Sequence, residues 1–453
     1  MSVRAGIIVG LLAAACHLGT AASAAGQVPC ALPPSPTTLT ATVSGVWVVV
    51  TWTASPGPPV RYVLEAGTAT HTSNVAVVDI DAGVTEYTST TPVGTYFVRV
   101  RGRNACGVSQ PSAEITVVSG VYQTHPDVLV TPKTADRNTY FPSVAKTGDG
   151  RLLVAYYDSP EHVSPRGRIS MVESRDNGRT WSRPRVIIDT PLDDRDPSLT
   201  VTRAGRVLVS YFARDTETST SAGVFVARSD DGGATWPAPV RVETILTDGA
   251  TSSKMIEAEN GDLLIPLYGS VAGDGHSRVT IGRSRDEGRT WPREQEIAVA
   301  SATNTNFMEP ALSVAGGQML VLMRTDRAEN LAYATQSIDG GLTWSTPSSL
   351  GVAAQSSEFV ALPGEPAMTA VHLWADWSRH WGDSRPTIAQ LIRWSAGTVA
   401  PMFGEPRVLY NSKCDDAGYP SGVVLDDGRL FVVFYDACLG YIGGAYLTPS
   451  TLR

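Results

Sequence analysis

The stretch Ser174–Trp181, SRDNGRTW, returns as SDDGGATW from Ser229, SRDEGRTW from Ser284 and SIDGGLTW from Ser337. The copies share Ser-x-Asp-x-Gly-x-Thr-Trp and begin at 174, 229, 284 and 337, steps of 55, 55 and 53 residues. Repeats of that length build solenoids or propellers. In each copy an aspartate (Asp176, Asp231, Asp286, Asp339) can accept hydrogen bonds from amides of its own turn, and a glycine (Gly178, Gly233, Gly288, Gly341) permits a left-handed backbone. The closing tryptophan (Trp181, Trp236, Trp291, Trp344) is expected to bury its ring under the hairpin. A feature needed in every unit is architectural, because a catalytic centre is needed once.

A second motif keeps the same beat: a turn glycine followed by an apolar strand. It occurs at Gly150, Gly205, Gly261, Gly317 and Gly428, with a looser copy at Gly364 in PGEPAMTAVHLWAD. Six copies imply six units, which divide the 332 positions from 122 to 453 into lengths of about 55, enough for four short strands each. No 3.6-residue periodicity supports a helical array. The expected fold is all-β, a six-bladed β-propeller over residues 122–453.

Before the propeller, from Pro33 to about Val118, short alternating runs such as VWVVVTWTA and GTYFVRVRGRN are punctuated by Gly, Pro and Ser, the texture of a small antiparallel sandwich. Trp52, Tyr62 and YFVRVRGRNACGVSQPS resemble a fibronectin type III module, giving an expected domain over residues 31–118. The first residues combine Arg4, an apolar run from Ile7 to Cys16 and small residues at Ala22 and Ala24. They read as a signal peptide spanning 1–24, hence a secreted or periplasmic protein. Lipidation of Cys16 is the alternative.

In an oxidising compartment Cys30 with Cys106, and Cys414 with Cys438, are the pairings that keep each bridge inside one domain. The net charge of −8 argues against nucleic acid as a partner. No later segment is long and apolar enough to span a membrane. Cysteine and histidine spacing offers no metal signature, so no metal or cofactor is expected. The expected partner is a glycan, and the expected state a monomer.

The fourfold phrase resembles the Asp-box, or BNR repeat, of the sialidase superfamily. That resemblance implies a glycoside hydrolase releasing sialic acid or a related acidic sugar. In that family a tyrosine deprotonated by a glutamate attacks the anomeric carbon, three arginines hold the substrate carboxylate, and a loop aspartate serves as acid and base. The segment NFMEPALSVAGGQMLVLMRTD resembles the family's fourth-blade motif and implies Glu309 as the tyrosine's partner and Arg324 as a clamp residue. CDDAGYPSGVVLDDGRLFVVFYD resembles the sixth-blade motif and implies Tyr419 as nucleophile. Arg385 matches another clamp position, with Arg379 its competitor.

The first blade departs from the pattern. RNTYFPS places Tyr140 where the family has an arginine, and Arg137 is the substitute within reach in sequence. After LLVAYYD the expected aspartate is replaced by SPEHVSPRG, leaving Glu161 and His162 to carry the proton. In DDRDPSLT, Arg195 and Asp196 are further pocket candidates, with a loop-stabilising ion pair as the plainer explanation. Two alternatives stay open: a lyase acting on uronate polymers, and a glycan-binding protein without catalysis.

Overall fold

The computed structural model describes residues 30–44, 47–56, 60–92, 94–119, 123–326, 330–365, 369–378, 384–395, 401–404 and 406–452. The expected leader, Cys16 and Arg379 lie outside these residues. Among the described residues the regular structure is strand, apart from the short 3-10 turns Arg293–Gln295 and Pro449–Leu452. No helix among them is long and apolar enough to cross a membrane.

Six antiparallel sheets form the propeller. The first blade is Asn138–Lys146, Leu152–Ser159, Arg168–Ser174 and Arg185–Ile188. The second is Asp193–Val201, Val207–Asp215, Thr220–Ser229 and Val240–Arg241, and the third Ile256–Glu257, Leu263–Gly269, Arg278–Ser284 and Ile297–Ala300. The fourth is Phe307–Ala315, Gln318–Thr325, Ala332–Ser337 and Ser348–Ser349. In the fifth, Ala354–Ala361, Thr369–Asp376 and Thr387–Arg393 are followed by Met402–Phe403 and Arg407–Tyr410, which both pair with the third strand. The sixth blade, Ala417–Val424, Leu430–Asp436 and Tyr441–Leu447, takes its outer strand, Val128–Thr131, from before the first blade.

Each turn-glycine motif opens a second strand, and these strands are the most buried: every residue of Leu152–Ser159 is buried. Such a strand has sheet neighbours on both edges and adjacent blades on both faces, so its sequence is a continuous apolar run and does not alternate. Separate apolar cores join successive blades around the ring. Leu153 and Met171 pack with Leu199 and Val209 between blades one and two, and Val144 and Val154 pack with Phe431 and Val433 between blades one and six.

The fourfold phrase joins third and fourth strands in the first four blades. In the first, Thr180 donates its amide to Asp176 Oδ1 (2.9 Å) and its hydroxyl to Oδ2 (2.6 Å), while the Ser174 hydroxyl donates to Oδ1 (2.8 Å) and receives the Gly178 amide (2.9 Å). Asp231, Asp286 and Asp339 make the same bonds. The tryptophans correct the expectation of uniformly buried rings. Trp291 is 2% exposed, whereas Trp181, Trp236 and Trp344 are only half-buried, lying against the inter-blade cores from outside.

Toward the N-terminus lie a three-stranded sheet, Thr37–Ser44, Trp47–Thr53 and Glu86–Thr90, and a five-stranded one, Arg61–Gly67, Ala76–Ile80, Gly94–Asn104, Gly107–Val108 and Ile115–Ser119. Trp52 meets Tyr62 edge-on at 5.4 Å. Cys30 is bonded to Cys106, and Cys414 to Cys438. The chain divides into two compact units, one of residues 1–39, 51–85 and 97–115 and the other of 40–50, 86–96 and 116–453.

Candidate active site

In five of the six blades the innermost strand shares a device that sets one side chain out of the ladder. The ladder slips by a bulge, between Tyr140 and Ser143, Arg195 and Ser198, Met308 and Ala311, Gln355 and Glu358, and Gly418 and Ser421. The first bulged residue is left-handed and not glycine: Phe141 (φ 49°), Asp196 (49°), Glu309 (48°), Ser356 (50°) and Tyr419 (46°). In four of them proline follows (Pro142, Pro197, Pro310, Pro420), where its missing amide costs no ladder bond. In the first and sixth blades the serine after the proline ties neighbouring blades together, Ser143 Oγ accepting from the Leu199 amide (2.9 Å) and Ser421 Oγ from the Val144 amide (3.0 Å). Left-handed non-glycine residues cost roughly 1–2 kcal/mol each, so strain is concentrated around the axis. Phe141, Asp196, Ser252, Ser356, Glu358 and Tyr419 line a narrow axial hollow. Beneath it Lys254 Nζ crosses the axis to Glu358 Oε1 (2.8 Å) and the Gly422 carbonyl (2.9 Å).

Beside the hollow opens a cavity of about 620 Å³ walled by His162, Glu309, Arg324, Arg385, Asp416 and Tyr419, with Tyr435, Trp377, Asp326, Asn330, Gln355 and Asp415 completing it. This volume suits a monosaccharide unit. Tyr419 donates its hydroxyl to Glu309 Oε1 at 2.9 Å, and Arg324 Nε lies 3.0 Å from the same oxygen. Glu309 Oε2 accepts from the amide (3.2 Å) and hydroxyl (3.3 Å) of Ser356. Burial alone would raise the Glu309 pKa, but the Arg324 charge and the hydrogen bonds from Tyr419 and Arg324 hold it below the usual value. Burial and the charges of Glu309 and Asp196 push Tyr419 well above an ordinary phenol. Both directions place the proton on Tyr419 and the negative charge on Glu309.

Arg385 is 7% exposed and is positioned from behind: Nε donates to the Ala417 carbonyl, Nη2 to Tyr435 Oη at 2.8 Å, and the guanidinium lies over the Trp377 ring at 5.1 Å. The Tyr435 hydroxyl in turn donates to Asp416 Oδ1, and Asp416 Oδ2 lies 3.1 Å from His162 Nδ1. Burial works against ionisation of Asp416, yet the hydrogen bonds from His162 and Tyr435 keep its pKa below the usual range.

Other sequence candidates lie apart. Arg137 does not line the cavity: it donates to Asp158 Oδ1 (2.7 Å) and to the carbonyls of Asp158 and Arg166 (2.6 Å each). Glu161 is exposed and does not line it either. Tyr140 is 4% exposed and packs against Tyr157, Tyr435 and His162, so the position expected to hold an arginine is part of an aromatic wall. Arg195 is a buried anchor. Its Nη1 binds Asp193 Oδ2 (3.2 Å) and the His162 carbonyl (2.6 Å), and its guanidinium lies over Tyr157 at 5.2 Å. Asp196 lines the axial hollow with Oδ1 unpartnered among the described residues, and burial pushes its pKa up to about 6 against the pull of Arg195.

Sequence reasoning missed Asp416, Tyr435 and Trp377. Asp416 lies in the CDDAGYPS segment that carries Tyr419, and the recurring FPS, DPS, EPA and YPS were the available signal for the axial positions. Among the described residues the one set at metal-ligand spacing is Cys414, Asp436 and Cys438, and its two sulfurs are joined in a disulfide.

The family model described as BNR repeat-like domain matches residues 195–432. A sialidase from Micromonospora viridifaciens is 25% identical over 247 residues, covering 48% of this chain and 37% of that protein. A sialidase from Bacteroides fragilis is 24% identical over 237 residues, covering 49% and 41% respectively. The chain thus spans about two fifths of the length of these curated relatives. Among solved structures, a protein of unknown function from Dyadobacter fermentans superposes with a TM-score of 0.62 at 21% identity, covering 72% of this chain and 98% of that one. The leech intramolecular trans-sialidase gives 0.57 at 13% identity, covering 93% and 98%. The Penicillium chrysogenum alpha-L-arabinanase gives 0.54 at 16%, covering 73% and 100%. The fold is accordingly that of sialidase-like glycoside hydrolases, and the chain belongs to the BNR repeat-like domain family of the sialidase superfamily.

Proposed function

We propose that the protein is a glycoside hydrolase that releases a terminal acidic sugar of the sialic acid type, with Tyr419 as nucleophile. The observation that carries this reading is the Tyr419–Glu309 hydrogen bond of 2.9 Å with Arg324 beside the same carboxylate, in the wall of a sugar-sized cavity. A neutral phenol suits an anomeric carbon that bears a carboxylate, where an anionic nucleophile would be repelled. Arg324 and Arg385 would hold that carboxylate with forked hydrogen bonds. Drawing the Arg324 charge toward the substrate would relax the hold on Glu309 and raise its basicity just as the Tyr419 proton must leave.

Tyr140 in place of an arginine favours a second reading. A two-armed clamp would bind a carboxylate more weakly by roughly 1.5–3 kcal/mol, the value of one charged hydrogen bond. Asp326, Asp415 and Asp416 add negative charge to the wall. Both features suit a neutral glycan, and the missing arginine also suits a differently placed acid, such as a uronate polymer open to elimination.

Purified protein assayed on a fluorogenic α-sialoside, an aryl α-L-arabinofuranoside and a uronate polymer separates these cases. Sialoside turnover abolished by Tyr419→Phe supports the first reading. Arabinofuranoside turnover alone, or new ultraviolet absorbance from the polymer alone, replaces it with the second.

A further inference from the structure

Resting on the Tyr419 reading, we propose that His162, oriented by Asp416, is the acid and base of the reaction, in the place the family gives to a loop aspartate. The aspartate at the end of the first blade's second strand is not available. Asp158 is 8% exposed and accepts hydrogen bonds from Arg137 (2.7 Å), Arg168 (2.9 Å) and Ser170 (2.8 Å). Glu161 is exposed to solvent and takes no part in the cavity lining, whereas the next residue, His162, lines it with its side chain 49% exposed.

The loop carrying His162 is fixed at several points. Arg195 donates to the His162 carbonyl at 2.6 Å, the Ser164 amide donates to Asp193 Oδ2 at 3.3 Å, and Arg137 donates to the Arg166 carbonyl at 2.6 Å. The imidazole is fixed too. It meets Phe141 edge-on at 5.0 Å and Tyr140 at 5.6 Å, and Phe141 lies 4.7 Å from the Tyr419 ring. Asp416, held by the Tyr435 hydroxyl, receives Nδ1–H at 3.1 Å. The charged and titratable groups around the imidazole are then Asp416 and Tyr140 in contact, Arg195 at its carbonyl, Glu161 beside it and Asp196 in the axial hollow. A carboxylate on Nδ1 sets the ring so that Nε2 is the atom that gives and takes the proton.

In the first step the Tyr419 oxygen bonds to the anomeric carbon as its proton passes to Glu309. The bond from that carbon to the glycosidic oxygen breaks, and His162 Nε2–H protonates the departing alcohol. In the second step neutral His162 takes a proton from water, whose oxygen displaces Tyr419 from the anomeric carbon. Glu309 then returns its proton to Tyr419. One water and one glycoside give one sugar and one alcohol, with every group restored.

An acid is needed in proportion to how poorly the alcohol leaves. The test compares His162→Ala with the unaltered protein on a sialoside of an unactivated alcohol and on one of a strongly acidic fluorinated phenol. The expected result is a fall in kcat/KM of about 10²–10⁴-fold on the first substrate and less than about tenfold on the second. Asp416→Asn, altering a positioning residue, should give the same selectivity in smaller measure. Equal losses on both substrates, or a selective loss in Asp196→Asn but not in His162→Ala, would overturn the inference while leaving the Tyr419 reading intact. Unaltered protein that turns over neither sialoside overturns both.

Discussion

Removing the charge of Asp196 should stabilise the protein, by an amount that grows as pH rises from about 4 to about 6 and then levels off. Burial pushes this carboxyl from 3.8 to about 6, its Oδ1 has no partner among the described residues, and the neighbouring Arg195 is engaged by Asp193. A carboxyl whose folded pKa is raised binds more protons folded than unfolded between the two values. Stability therefore falls as pH rises from about 4 to about 6 and stays low above that. Two pKa units correspond to about 3 kcal/mol, an upper figure for a group coupled to so many neighbours. Asp196→Asn keeps the shape and removes the charge, so the variant should gain about 1–3 kcal/mol at pH 8 and close to nothing at pH 4. Urea unfolding of both proteins from pH 4 to pH 8 reads this directly. A variant less stable by the same margin at every pH would refute the reasoning, because it would mean that Asp196 is ionised and well paired in the fold.

Three further outcomes follow from packing. Gly178→Ala, at φ 84° and with a new Cβ 3.0 Å from the Phe431 ring, should lower stability more than Gly150→Ala, at φ 83° with nothing closer than 3.8 Å; roughly 2–3 against 1 kcal/mol is expected, read as melting temperatures. Lys254→Met leaves Glu358 buried without its partner across the axis and should cost about 3–5 kcal/mol, of which Lys254→Met with Glu358→Gln should recover most, measured by the same denaturation. Breaking Cys414–Cys438 by a double alanine replacement should cost about 3 kcal/mol and reduce turnover further by loosening Asp416, measured by unfolding and by kcat.

The propeller was legible because its signal is local and repeated. Asp176 and Gly178 satisfy their own turn within eight residues, so the same letters recur wherever that turn does. The tryptophans were only half legible, since the phrase fixes the hairpin and the neighbouring blade decides how far Trp181 or Trp344 is covered. Sequence brought Glu309, Arg324, Arg385, Tyr419 and His162 to notice from four separate segments, and the fold gathers them around one cavity. Arg137 went the other way, because nothing in RNTYFPS reveals that Asp158, across the sheet, engages it. Tyr435 looked like one more apolar position in LFVVFYD. Its role in linking Arg385 to Asp416 exists only once the sixth blade's strands are paired and the fifth lies beside them.

The bulges at Phe141, Asp196, Glu309, Ser356 and Tyr419 separate two inheritances that most enzymes mix. The residues that follow them rejoin the ladder and keep the wheel assembled, while the bulged residue itself faces the hub and stands outside the strand register. A descendant could exchange an acid for a phenol at one spoke without renegotiating the rim. Divergence of chemistry in such a protein would be written in an alphabet of one letter per spoke, and kinship would persist in the scaffold long after the reaction had changed.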